Sequence, residues 1–491
     1  MHGLFMFFPP LVVGPFRRCH DSRARDRNLG NTPGRKHGFV GAPLAEFPAD
    51  HRRIKITLPP TFDKTGMSER RTLREVSCAD DYDPNSMPVD KARALIRELV
   101  GPIGVAERLN VRAALGRVLA EDIVSPIDVP GHDNSAMDGW AVRFADLSTS
   151  TDTELSRIGE SFAGKPFAGE VGAGHAVRIF TGGVMPKGAD TVVMQERASE
   201  TARGVRVSAG AVSKVGQNRR FAGEDVKRGQ LVFRAGQPLR PAELGMLASL
   251  GIGEITVYRR LRVAFFSTGD ELRAIGEPLG AGEVYDSNRY TLHGMLTRLG
   301  CEVIDMGVVP DVPASLERAL VDAAASADVV ITSGGVSVGE ADYVKDILGK
   351  LGEVLFWKIA LKPGRPLAYG RVKGAHFFGL PGNPVSVMVT FYQFVRDALL
   401  IMQGRRNVEP VPTFTAALAT PIRKAAGRTE FQRGILSRGD DGEWRVRTTG
   451  EQGSGILSSM SQANCFIVLG SETGNLEAGE KVDVQLLEGM V

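Results

Sequence analysis

The sequence predicts a multidomain protein of α/β plus β class, built around a doubly wound parallel α/β domain. Three observations carry this. The chain has 491 residues, enough for three or four domains. Between residues 262 and 401 apolar strand-like runs alternate with amphipathic helical runs. The segments on either side are β-prone and rich in turns, so smaller β domains flank the α/β unit.

The elements follow in order. Residues 1–86 are rich in Arg, Pro, Gly and Asp without periodicity, and read as a disordered extension. The apolar stretch at 4–16 holds three prolines, is too short to span a bilayer, and lacks the preceding positive charge of a signal peptide. Met67 and Met87 are alternative starts. Residues 90–99 read as a helix, and 110–120 as a second one capped by Asn110. Residues 131–228 read as a small all-β domain. A helix at 240–250 and a strand at 254–258 return to the first helices, which makes 87–130 with 229–258 a discontinuous linker and dimerisation domain. The α/β domain covers 259–405. Its strands are expected at 262–266, 301–306, 328–331 and 377–380, with helices at 289–299, 314–325, 342–351 and 384–401. In GLPGNPVS, Asn383 can cap the last helix and Pro384 takes its first position. Residues 408–491 are β-prone and read as a barrel-like C-terminal domain.

Composition excludes several classes. Charged residues make up 24% and the formal charge is +3 with mixed signs, so no nucleic-acid surface is indicated. No membrane role is expected. The 4 cysteines, Cys19, Cys78, Cys301 and Cys465, form no C-x-x-C, which fits a reduced cytoplasm. Neither G-x-G-x-x-G nor a P-loop occurs. Cys301 reads as core, and His293 and His376 as structural, because neither has a metal-spaced partner.

Ligands of open α/β sheets bind at the carboxyl ends of strands. Those ends carry Asp270 and Glu271, then Asp286, Asp311, and TSGGVSVGEADYV (332–344) with Ser333, Gly334, Gly335, Gly339, Glu340 and Asp342. Lys358, Lys362, Pro363, Arg365, Pro381, Gly382 and Asn383 follow. Two carboxylates about 4 Å apart repel by roughly 4 kcal/mol at an effective dielectric near 20. A Mg²⁺ ion with water and substrate phosphates would relieve that. Glycine N–H groups at a helix start suit a phosphate. Taken singly, each feature has a plainer reading. Asp270 or Asp342 can be a helix-start residue, Lys362 and Arg365 solvated surface, and Gly334-Gly335 a turn.

The set DNSAMDGWAVR (133–143), IFTGGVMPKGADTVVMQE (179–196), FAGEDV (221–226), FSTGDEL (266–272), YDSNR (285–289), TSGGVSVGEADYV, KIALKPGRP (358–366) and GLPGNPVS (379–386) resembles the molybdopterin molybdenumtransferases. The resemblance runs from about Met87 to the C-terminus. It implies a four-part subunit and an elongated homodimer. It also implies insertion of molybdate into adenylylated molybdopterin, with Mg²⁺-dependent release of AMP. By motif, Glu271, Asp311 and Asp342 match acidic residues important for activity, and Lys358 and Lys362 match the residues that hold the anions. Asp270 and Asp286 join Glu271 and Asp342 as expected metal ligands on charge alone. Arg433 in FQRG and Ser454 in QGSG match residues that close the molybdate site. Asp138 and Thr181 look like a pair that reaches the other subunit's cleft. Substrate hand-over makes transient contact with a molybdopterin adenylyltransferase and with recipient molybdoenzymes an expectation. Two rival activities are adenylylation of molybdopterin, which would not need the β-domain motifs, and a dimeric scaffold, which would not need intact site residues.

Overall fold

A computed structural model describes residues 87–335 and 342–488, apart from the side chains of Asp342, Tyr343 and Phe356. All of these fall in one compact unit, Met67–Val491. The expected extension at 1–86, Gly339 and Glu340 lie outside the described residues.

The first helix, α1 (Val89–Leu99), is amphipathic and buries Val89, Ala92 and Ile96. It does not join the linker core as the sequence suggested. Its apolar face enters the large core of the α/β domain. Arg97 pairs there with Asp397 at 2.6 Å. The expected helix over 110–120 is only a 3-10 turn, Val111–Ala114. Asn110 does cap it, accepting from the Arg112 N–H at 3.0 Å. Beyond it Val118 and Leu119 are extended and bridge Pro238 and Val257, which ends the helix. Strand β1 (Ala106–Asn110) pairs antiparallel with a later strand, Glu254–Tyr258. Leu119, Leu239, Leu247, Ile255 and Val257 fill the core between these two parts of the chain.

The next segment forms one six-stranded sheet from β2 (Gly139–Val142), β3 (Thr153–Ser161), β4 (His175–Ile179), β5 (Thr191–Met194), β6 (Ala198–Thr201) and β7 (Gly204–Val207). Trp140 is fully buried in it. The Arg178 guanidinium stacks 5.3 Å from the Trp140 ring. Helix α2 (Pro241–Ser249) and β8 (Glu254–Tyr258) complete the linker core.

The α/β domain has a six-stranded sheet of β9 (Arg262–Thr268), β12 (Glu302–Val309), β13 (Val329–Ser333), β14 (Gly352–Lys358), β16 (Pro366–Val372) and β17 (Ala375–Leu380), in the order β12-β9-β13-β17-β16-β14. The first four in that order are parallel. Strands β16 and β14 extend the sheet as an antiparallel hairpin. A parallel ribbon, β10 (Leu272–Arg273) with β11 (Val284–Tyr285), and a short strand, β15 (Leu361–Lys362), lie outside this sheet. Helices α3 (Ser287–Arg298), α4 (Pro313–Ser326) and α5 (Asp342–Leu351) alternate with the parallel strands. Strands buried on both faces read as continuous apolar runs, which is why these were legible. Apolar residues Val263 and Phe265 enter one core, and Ala264 and Phe266 the other, as period-two alternation requires.

The last helical segment of the domain is α6 (Pro384–Thr390), a π turn (Phe391–Val395) and α7 (Arg396–Met402). It is long and apolar enough to cross a membrane by composition, but 78% of it is buried, the pattern of a core helix. The π turn leaves the Gln393 carbonyl to accept from Arg93 at 3.2 Å. The C-terminal part closes a five-stranded barrel from β18 (Thr413–Leu418), β19 (Thr429–Arg438), β20 (Trp444–Thr448), β21 (Cys465–Leu469) and β22 (Lys481–Leu486), with α8 (Leu457–Gln462) beside it. Closure leaves no free edge within the barrel. Strand β15 adds to β19 in parallel, joining the barrel to the α/β domain.

Cys301 is buried, and burial pushes its thiol up to about 12, so it is core and not a nucleophile. His376 is buried and bonds Tyr369 through Nδ1 at 3.2 Å. Burial, with help from the Arg371 charge and against that of Asp328, pushes it down to about 3. The unfolded chain therefore binds a proton that the folded chain refuses between about pH 6.5 and 3. Stability from this site is full above pH 6.5 and falls as pH drops toward 3. Between pH 7.5 and 5 the loss is expected to be about 2 kcal/mol. Urea unfolding of wild type and His376→Gln at both pH values checks it, and equal pH dependence in the two proteins would contradict it.

Candidate active site

The register places the expected rim at one edge of the sheet. Ser267 lies opposite Ser333, and Ser333 opposite Leu380. Thr268 lies opposite Val309. Ala368 faces Gly379, and Lys358 faces Pro366, so the hairpin brings Lys358 and Arg365 to the same edge.

Asn288 ties the rim together. Its Nδ2 donates to Ser333 Oγ at 2.8 Å and to the Gly382 carbonyl at 2.6 Å. One side chain in the first turn of α3 thus fixes the ends of β13 and β17. Gly334 has φ +90, and a Cβ there would collide with the Thr268 carbonyl oxygen. Its backbone consequently runs against β9. Thr268 donates to Asp311 at 3.3 Å, and the Asp311 N–H donates to Asp270 at 3.4 Å.

Asp286 is 3% exposed and caps α3, accepting from the Arg289 N–H at 3.1 Å through Oδ1. Among the described residues its Oδ2 is buried without a partner, as are Ser267 Oγ and Asn288 Oδ1. Buried unpaired oxygens are costly, and a carboxylate more so. The ribbon of β10 and β11 holds Glu271 before one end and Asp286 after the other. Among the described residues no three carboxylates, histidines or cysteines gather as a metal cage. The Asp342 side chain is outside the described set. A Mg²⁺ ion needs only one or two carboxylates, and the bare Asp286 oxygen fits such an ion.

The barrel covers the start of α6. The Val385 N–H donates to the Ser454 carbonyl at 3.0 Å. Asn383 occupies the cap position, but its side chain makes no capping bond, contrary to expectation. The first-turn donor is already taken by the barrel loop. Beside it Arg433, 1% exposed, donates from Nε to Ser459 Oγ at 3.0 Å and from Nη2 to the Gly453 carbonyl at 3.0 Å. Both acceptors are neutral. Burial pushes this guanidinium down to about 10. A desolvated cation with neutral partners attracts an anion strongly.

Three family models match the chain. The MoeA N-terminal region (domain I and II) matches residues 87–251, a probable molybdopterin binding domain 264–400, and the MoeA C-terminal region (domain IV) 415–487. The molybdopterin molybdenumtransferase of Haemophilus influenzae is 48% identical over 399 residues, covering 81% of this chain and 98% of that protein. The chain belongs to the molybdopterin molybdenumtransferase family. The enzyme of the same name from Nostoc sp. is 38% identical, covering 74% of this chain and 84% of its own. A crystal structure of the molybdopterin biosynthesis moeA protein from Pyrococcus horikoshii OT3 aligns at TM-score 0.70 and 34% identity, over 82% of this chain and all (100%) of that one.

The site residues of this molybdenumtransferase family member fall into separate groups. Asp138 and Thr181 are together on the small β sheet: Asp138 Oδ1 accepts from the Thr181 N–H at 2.8 Å and Oγ1 at 2.7 Å. The two bonds from Thr181 hold the Asp138 carboxyl below the usual range. Lys362 and Arg433 are not side by side. Side chains alternate across a strand. Phe431, like Leu361, enters the α/β core, and Arg433 shares its face. Glu430 and Gln432 share the face of Leu436, which enters the barrel core. Lys362 pairs in register with Glu430, and its Nζ donates to Glu430 Oε1 at 3.2 Å. The Pro363-Gly364 turn that follows lies on α6, where a Cβ on Gly364 would press Thr390 Cγ2 at 2.7 Å. Sequence reasoning missed Asn288 as the tie and Glu430 as the partner of Lys362. Asn288 sat in a motif already quoted, whereas Glu430 gave no local signal.

Proposed function

We propose that this chain inserts molybdate into adenylylated molybdopterin, with Mg²⁺-dependent release of AMP. As a family member it is a transferase of molybdenum cofactor biosynthesis. The observation that supports the finer reading is the pairing of two unmet demands. Among the described residues, Arg433 is a buried cation bonded only to neutral groups, and Asp286 carries a bare buried carboxylate oxygen.

The chain's own residues then divide the work. The backbone of Ser333, Gly334 and Gly335 receives the substrate phosphates, because successive backbone N–H groups in such a turn suit an anion. Lys358 and Arg365 at the same edge neutralise them. Arg433, with Ser454 beside it, takes the oxyanion. Asp286, through its bare Oδ2, would hold Mg²⁺, with water and substrate phosphates completing the shell. Bound with the phosphates, that ion would stabilise negative charge on the departing AMP. The reading extends to a cytoplasmic homodimer in which Asp138 and Thr181 serve the partner's cleft.

Purified protein, adenylylated molybdopterin, Mg²⁺ and molybdate should yield AMP together with active cofactor, and no AMP from wild type would end the reading. Asp286→Asn is expected to slow AMP release by about a hundredfold or more. Its melting temperature should hold, because Asn caps a helix as well as Asp does. Full turnover by that variant would remove Asp286 from the metal site.

A further inference from the structure

Lys362 is bound in a way the proposed reaction does not use. Glu430 is 4% exposed. Its Oε1 accepts from Lys362 at 3.2 Å and its Oε2 from Gln432 Nε2 at 2.9 Å. The Lys362 side chain is 46% exposed, whereas that of Glu430 is 5% exposed. The carboxylate is therefore fixed and the ammonium sits on a flexible arm with further donors free to turn.

A second buried cation lies nearby. Lys424 is 6% exposed and donates to the Ala425 and Thr473 carbonyls at 3.2 and 2.8 Å. Burial pushes its ammonium pKa down, the Glu430 charge pushes it back up, and the Lys362 charge lowers it further. With Gln432 and Lys424 in place, Glu430 keeps a hydrogen bond and a counter-charge when Lys362 swings away. The pair is thus built to part on one side only. The face alternation of β19 puts this station opposite to Arg433, so Lys362 cannot serve both at once.

We propose that Glu430 is a positioning residue that parks Lys362 away from Arg433, so that Glu430 and the incoming oxyanion compete for one ammonium group. This rests on the reading that molybdate is a substrate and that Lys362 helps to hold it. The competition sets a sign. Removing the negative charge of Glu430 frees Lys362 and makes the region more positive, and both effects tighten oxyanion binding. A merely structural role would lower stability and leave binding unchanged or weaker.

The test is equilibrium dialysis of the full chain against molybdate alone. Glu430→Gln, which can keep the bond to Gln432, is expected to bind roughly three- to tenfold more tightly than wild type. Adding Lys362→Met should abolish that gain. Should Glu430→Gln fail to fold, Glu430→Asp withdraws the carboxylate by one methylene and should give a smaller gain of the same sign. Unchanged or weaker binding, or no binding by either protein, overturns the proposal. Tighter binding by the variant while wild type releases no AMP sustains the competition and sinks the enzymatic reading instead.

Discussion

Gly334→Ala is expected to lose at least about a hundredfold in AMP release. The reason lies in the backbone. Gly334 holds φ +90, a conformation an alanine adopts only with strain, and the new methyl would run into the Thr268 carbonyl. Strain of that kind costs about 1–3 kcal/mol if the loop stays in place. If it moves instead, the Ser333-Gly334-Gly335 backbone leaves the rim, and a displacement of about 1 Å can cost about a hundredfold in rate. Either way the proposed phosphate cradle would be lost or weakened. The sheet should survive, because Val329, Val330 and Ile331 remain buried in the two cores. Turnover assays beside a thermal melt read the two effects separately. A variant with more than half of wild-type turnover would show that the glycine backbone does not receive the substrate.

The parallel strands could be read from sequence because double-sided burial demands unbroken apolar runs. The rim followed, since direction and order alone place the strand ends together. Other features depend on contacts that leave no local trace. Strand β14 and strand β16 are β-prone whichever way they run, and only pairing with β17 makes them an antiparallel hairpin. Residues 110–120 carry a helical pattern, yet bridges from Val118 and Leu119 to distant residues pull them straight. Asn383 has the right type for a cap, but Ser454, far along the chain, has taken the donor. Glu430 is 68 residues from Lys362 and is joined to it only by the β15–β19 pairing. Periodicity thus located the scaffold, while long-range pairing decided which charge meets which.

Arg433→Met is expected to uncouple stability from function. The wild-type guanidinium is 1% exposed and donates to Ser459 Oγ and the Gly453 carbonyl. Burying a cation beside neutral groups costs desolvation that hydrogen bonds only partly offset, and an apolar side chain of similar length often restores or improves stability. The melting temperature should therefore stay within a few degrees of wild type. Oxyanion handling has no such substitute. Loss of one preorganised donor at an oxyanion is worth about 3–4 kcal/mol, or about two to three orders of magnitude in rate. Molybdate binding should weaken in step, whereas binding of adenylylated molybdopterin at the glycine rim should change little. If Arg433 were only a structural tie between β19 and the loop at Gly453, the result would reverse: a large drop in melting temperature with molybdate affinity intact. The contrast is sharp because the same burial that makes the arginine expendable to the fold makes it effective toward an anion, where little water competes for its charge.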